Sequence, residues 1–327
     1  MKKFFINASI FGFLIIFSLF GVIYLAPMDQ ERYLLALVDK HRLLETTPQP
    51  RIIFAGDSSL AYGLDSGMVK RATGYNIVNM GLHGGLGLIY SMDELKPYLK
   101  KHDIVVFIPD YTHYAGSGVG DNTLVEVTIV LPWIIRYYSC ENIRPFITSI
   151  PLTFQRRLRG LLFPSKEDAA HRRSNFNQYG DNVGHLSLPQ PKFKDVESVA
   201  RFIPGMASQE NVTRILPERV NDELVTRMNQ FAAYCAARGI DLYLSFSPIM
   251  EWSRQREKQA AALNSLEKDL GNRIHMKIFG NSMEHIYPRD YFFDNEFHLN
   301  KKGRDIRTRR LIEAMKLDPL LSRAVKR

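Results

Sequence analysis

Short β-branched apolar runs alternate with stretches of helical spacing along most of this chain. That alternation limits the fold more than any other feature. The runs occupy residues 51–55, 76–80, 103–108, 240–246 and 274–279. Helical patterns lie between and after them, at 60–73, 88–101, 222–238, 254–270 and 302–317. Gly239 follows the third pattern and is expected to stop it, because glycine readily adopts the left-handed conformation that ends many helices. Strands separated by helices are too far apart for tight hairpins, so they pair in parallel with helices covering both faces. The expected architecture is α/β, a doubly wound three-layer α/β/α sandwich around a central parallel five-stranded sheet.

In such a sheet, ligands bind outside the carboxyl ends of the strands. Ser58, the loop from Gly81 to Gly87, and Asp110 each fall just past an expected strand end. Three separate segments therefore converge on one rim.

Two stretches lie outside the alternation. At the N-terminus Lys2 and Lys3 precede residues 4–28, which carry no charge. A helix of about 23 residues reaches roughly 35 Å, enough for a hydrocarbon core of about 30 Å. The run ends at Tyr24-Leu25-Ala26-Pro27 without a convincing cleavage site. The expectation is a transmembrane signal anchor over 1–28 with its N-terminus in the cytoplasm. A stalk over 29–50 and an extracytoplasmic domain over 51–327 would follow. Residues 112–220 form the second stretch, too long for a simple connection. Apolar segments there alternate with Arg136, Arg144, Arg156, Arg157 and Arg159. They are expected to form a mostly helical insertion capping the rim. The mixture of arginine with Trp133, Tyr137, Tyr138 and Phe163 also suits a lipid interface.

The net charge is +9 over 327 residues, which favours anionic surfaces. The excess sits in residues 136–173 and 301–327. No nucleic-acid-binding motif accompanies it, so phospholipid head groups or phosphate-bearing envelope polymers are the expected partners and nucleic acid is not. Cys140 and Cys235 lack metal-site spacing; a disulfide and two separate thiols are both open. The glycine spacing after residue 80 is not that of a dinucleotide site, and no cofactor is expected.

The chemistry resides in three short segments. A serine hydroxyl needs a neighbouring imidazole to take its proton, and the imidazole needs a carboxylate to hold its tautomer. Developing charge on an attacked carbonyl needs preplaced donors. Ser58 is placed as nucleophile, His298 as general base and acid, and Asp294 as the orienting carboxylate. Backbone N–H groups of Ser58 and of the Gly81–Gly85 loop are placed as oxyanion donors, where glycine permits close approach.

These residues resemble the SGNH (GDSL-type) hydrolase superfamily. Gly56-Asp57-Ser58 resembles its first block, and Asn79-Met80-Gly81-Leu82-His83-Gly84 its second. Asp294 through His298 resembles the fifth, and His298-Leu299-Asn300 its habitual entry to the last helix. The resemblance covers roughly residues 51–111 and 222–317. It implies an oxyanion glycine at Gly84, with Gly81 as the second choice. Two departures stand out. Asp294 lies four residues before His298, with Asn295 at the usual position and Glu296 as a second carboxylate. The third block's asparagine is replaced within Ile108-Pro109-Asp110-Tyr111-Thr112-His113, leaving Tyr111 or His113 as substitute donors.

The closest likeness is to the membrane-anchored branch, similar to proteins of D-alanine transfer and of alginate-type O-acetylation. That implies a serine esterase or O-acyltransferase acting outside the cell on acyl esters of an envelope polysaccharide or related polymer. Such proteins often sit beside a polytopic membrane O-acyltransferase. The alternative is a non-catalytic protein of the same fold that binds such a polymer or escorts such a transferase.

Overall fold

The structure, a computed structural model, describes residues 1–25, 29–162, 168–189, 215–252, 255–319 and 321–322. Phe163, the chain at 26–28 and the insertion's residues 190–214 lie outside that set.

Five parallel strands form the central sheet among the described residues. They are β1 (Arg51–Gly56), β2 (Asn76–Asn79), β3 (Ile104–Ile108), β4 (Asp241–Leu244) and β6 (Lys277–Ile278), in the order β2-β1-β3-β4-β6. Register is tight across the middle, with Ile53 opposite Val78 on one side and Val105 on the other. Alternation along the strands sends side chains to two separate cores. Ile53, Ala55, Val105, Phe107, Leu242 and Leu244 pack with the helices Leu88–Leu95 (α5), Asp222–Ala236 (α8) and Arg256–Arg273 (α9). Ile52, Phe54, Ile104, Val106, Ile108 and Tyr243 pack with Ser58–Gly63 (α3), Ser66–Thr73 (α4) and Lys301–Leu317 (α10). Helices on both faces are what near-continuous apolar strands require. Gly239, at φ 65°, ends α8 as expected.

The differences from expectation have local causes. The helix expected over 60–73 is two helices, because Leu64 is extended and Asp65 then caps α4, accepting from Met68 N–H at 2.8 Å. The last strand shrinks to two residues at the sheet edge, where a single neighbour holds it. A second, two-stranded parallel sheet joins β5 (Ile249–Met250) to β7 (Ile286–Tyr287), pairs too short to leave a periodic signal.

The segment expected to be a stalk packs into the domain instead. Its helix α2 (Ala36–Thr46) buries Leu37, Lys40, His41 and Leu44. Lys40 Nζ donates to Asn79 O at 2.8 Å and to Gly180 O at 2.6 Å. Burial lowers its pKa to about 7, against the pull of Asp181, Glu94 and Asp39. Arg51 at the start of β1 is wholly buried and makes a two-pronged pair with Asp103, at 3.0 and 2.8 Å.

The expected cap is helical where it is described early on. Helix α6 (Asn122–Val130) leads through a 3₁₀ segment, Pro132–Tyr137, to the long helix α7 (Cys140–Leu162). Residues 168–189 are instead an irregular strap. Its Asp181 accepts from Ser66 N and Oγ and from Asn79 Nδ2. Cys140 is exposed and Cys235 buried, and both are free thiols. Part of the C-terminal basic charge is structural rather than surface: Arg304 and Arg307 are buried and donate to Leu64 O and Gly63 O.

At the N-terminus, α1 (Lys2–Leu25) precedes the domain, its described apolar side chains mostly exposed. Among the described residues no helix is long and apolar enough to cross a membrane. The transmembrane span expected over 1–28 is therefore not part of the described fold.

Candidate active site

Ser58 is the first residue of α3, directly past the carboxyl end of β1, and half-buried. Asp57 caps that helix, its Oδ1 accepting from Ser59 N–H at 2.8 Å. Its other oxygen accepts from Asp110 N–H beyond β3. The turn is tight enough to dictate glycine at its start, since a Cβ on Gly56 would lie 2.2 Å from Ile108 O. On the second segment, a Cβ on Gly81 would stand 2.7 Å from Asp57 O and 2.8 Å from Ala61 N. The loop after β2 thus passes directly beneath the first turn of α3.

The two donor candidates in that loop separate on their hydrogen bonds. Gly81 N–H is taken by Asn79 Oδ1 at 2.9 Å. Gly84 opens a short 3₁₀ turn, Gly84–Leu86, and sits between Asp57 and His113; a Cβ there would be 3.4 Å from His113 Nε2. No described hydrogen bond takes up Gly84 N–H or Ser58 N–H. Tyr111 is wholly buried and its hydroxyl donates to Ser247 O at 2.9 Å. Of the two expected substitute donors, His113 is the one that borders Gly84. Burial lowers the pKa of His113, against Asp57 at 3.7 Å from its Nε2. Asp110 is held protonated by its surroundings: burial and then Asp57 push its pKa up to about 8.

His298 lies over the same helix. Its ring stacks face to face on Tyr62, 4.0 Å between centroids and 4° between planes. Tyr62 is one helical turn beyond Ser58, on the same side of α3. Its Nδ1 meets Asp294 Oδ1 at 2.7 Å, within the charge-assisted range. Burial alone would raise the Asp294 carboxyl, but His298 and then His171 hold it below its ordinary value. An ionised Asp294 draws the Nδ1 proton and leaves Nε2 as the basic nitrogen. Asn295, at the position where the resemblance expects the acid, uses its carbonyl to accept from Phe297 and His298 N–H, and its amide nitrogen lies 2.9 Å from the same His298 Nδ1. Glu296 turns inward, is buried and makes no hydrogen bond to His298; one of its oxygens has no partner. The carboxylate on the imidazole is thus Asp294, four residues away.

Among the described hydrogen bonds none joins Ser58 to His298. Such bonds are often long in an empty site and tighten around a substrate.

The strap adds groups that sequence reasoning missed. His171 Nε2 lies 3.7 Å from Asp294 Oδ2, so that carboxylate stands between two imidazoles. His185 is tilted against the Tyr62 ring at 4.7 Å and bonds Leu299 O at 3.0 Å. Burial pushes its pKa down to about 4. Nothing in the sequence marks His171 or His185. Tyr62 had one signal, its spacing of one turn from Ser58. Among the described residues, His171, Asp294 and His298 hold ligand-type atoms within 4.8 Å of one another, a set that could take a metal ion. The short Asp294–His298 contact assigns them as a hydrogen-bonded couple.

No family model matches the chain, and no curated protein matches it.

Proposed function

We propose that this chain is a serine esterase or O-acyltransferase of SGNH type, on a doubly wound three-layer frame. The observation that carries the reading is the Asp294–His298 couple stacked on Tyr62, over the helix turn that begins at Ser58. In the reaction, Ser58 Oγ attacks an ester carbonyl while His298 Nε2 takes its proton. The N–H groups of Ser58 and Gly84 receive the developing oxyanion. His298 then protonates the departing alcohol oxygen, leaving an acyl-serine. Water completes hydrolysis by attacking that ester, or a sugar hydroxyl completes transfer.

We further propose that the chain is held at a membrane by residues 1–28 with its domain outside the cytoplasm, and that its substrate is an acylated envelope polysaccharide or related polymer. The uncharged run at 4–28 behind Lys2 and Lys3 supports the anchor. So does the exposure of Phe4, Phe11, Phe13 and Phe17 along α1. The substrate class rests on the family resemblance.

The test is covalent labelling of the full chain with a fluorophosphonate probe. Wild type should label, and Ser58→Ala with an unchanged circular dichroism spectrum should not. A folded wild type that stays unlabelled overturns the enzyme reading and favours a binding protein on the same frame.

A further inference from the structure

Helix α7 is inside out. Across its 23 residues, the face against the domain is largely polar: Asn142, Ser149 and Thr153 are buried there, with half-buried Phe146 among them against Tyr138. Ser149 Oγ donates to Asn122 Oδ1 at 2.6 Å, and Arg156 pairs with Glu126 on α6. The apolar stripe points the other way. Ile143, Ile147 and Ile150 are 50%, 60% and 39% exposed, and Leu158 and Leu162 continue the line. Spacings of three, four and seven or eight residues put these on one side of the helix. A globular domain buries such a stripe; here polar groups hold the helix and the stripe is left outward. Exposed Arg144 and Arg159 flank it.

The occupant follows from what adjoins the stripe. Helix α1, whose described apolar side chains are mostly exposed, packs against both α7 and α6. Two helices that pack on one another thus each carry exposed apolar residues. An amphipathic helix with arginines beside its apolar face suits the boundary between acyl chains and anionic head groups.

We propose that α7 lies in the surface of an anionic phospholipid bilayer, its isoleucine and leucine stripe in the acyl region and Arg144 and Arg159 at the phosphates. The inference rests on the anchoring of residues 1–28. It adds a mechanical consequence. α7 packs on α6, and α6 closes on the site loop: Asp121 N–H donates to Gly85 O at 2.9 Å, and Leu124 packs with Leu86. The loop carrying Gly84 is thereby tied, through two helices, to the membrane surface.

The test uses the full chain in phosphatidylcholine vesicles, with and without phosphatidylglycerol. Cys140 is replaced by serine; buried Cys235, its thiol pushed up to about 12, stays unreactive. A polarity-sensitive fluorophore is placed through Ile147→Cys or, as control, Gln230→Cys on exposed α8 surface. At 147 we expect blue-shifted emission, several-fold less iodide quenching than at 230, and quenching by lipid bearing a shallow spin label. Arg144→Gln with Arg159→Gln should reduce the dependence on phosphatidylglycerol. Vesicle flotation reports the anchor separately. Flotation with position 147 as iodide-accessible as 230 overturns the α7 inference and leaves the anchor standing. A shielded label that lipid cannot quench also overturns it, and points to a protein partner. Failure to float removes the anchor reading and this inference together.

Discussion

Strand β1 and helix α7 use the same kind of residue in opposite ways. Ile52, Ile53 and Phe54 are wholly buried, sandwiched between helices on both faces of the sheet. Ile143, Ile147 and Ile150 stand exposed, while polar Asn142, Ser149 and Thr153 are buried beneath them. Apolar residue type therefore does not by itself say where a segment sits. What decides is which groups the neighbouring elements can satisfy. The middle strands pair their backbone with neighbours on both sides and are covered on both faces by apolar side chains. α7 rests on α6, which offers Asn122 and Glu126 to its polar face.

The comparison can be broken most sharply at the site, whose Ser58 lies directly past a strand of the sheet. Ser58→Ala should lower turnover by roughly 10³–10⁶-fold, read as ester hydrolysis or probe labelling, with no loss of folding. Asp294→Asn should cost several orders of magnitude and Glu296→Gln far less. The reverse ranking would transfer the orienting role to Glu296.

On the stability scale, Phe54→Ala should cost about 3–5 kcal/mol in denaturant unfolding. Arg51→Ala should cost a similar amount, about 3–5 kcal/mol, because Asp103 would be left buried and unpaired. Equal tolerance of Phe54→Ala and Ile147→Ala would erase the contrast between the two regions.

A smaller effect concerns pH. Asp110 keeps its proton in the folded state up to about pH 8, whereas the unfolded chain releases it near the ordinary carboxylate value. Between those limits the native state binds the extra proton, so stability from this group falls as pH rises and levels off above about 8. Asp110→Asn should flatten that slope in unfolding curves taken across the window. His185 works in the other direction. Its pKa is lowered to about 4, so its contribution is full above its ordinary value and declines as pH drops from there toward 4.

The smallest effect is expected at Ile147→Asp. On an exposed helix face it should change unfolding free energy by no more than about 0.5 kcal/mol. A loss of several kcal/mol would mean that the stripe is already covered by this chain.

Much of the sheet half was legible because it repeats. Short continuous apolar runs and the stop at Gly239 each have a local cause. The placement of Ser58 and His298 was legible for a similar reason: each lies in a short segment beside a strand end or a helix start. The strap was not legible. His171 and His185 sit in an irregular stretch held by contacts more than a hundred residues away in sequence. The burial of α2 escaped for the same reason, since Lys40 is held inside by donating to the carbonyls of Asn79 and Gly180, far away in sequence.

The amino-acid sequence by itself determined where the candidate residues fall along the chain: a serine after the first strand, an acid and an imidazole before the last helix. It did so because strand and helix patterns are local. Only the tertiary structure decided which carboxylate meets His298, which glycine N–H remains free, and which way α7 faces. Those outcomes depend on distances between segments far apart along the chain, and local propensity does not contain them.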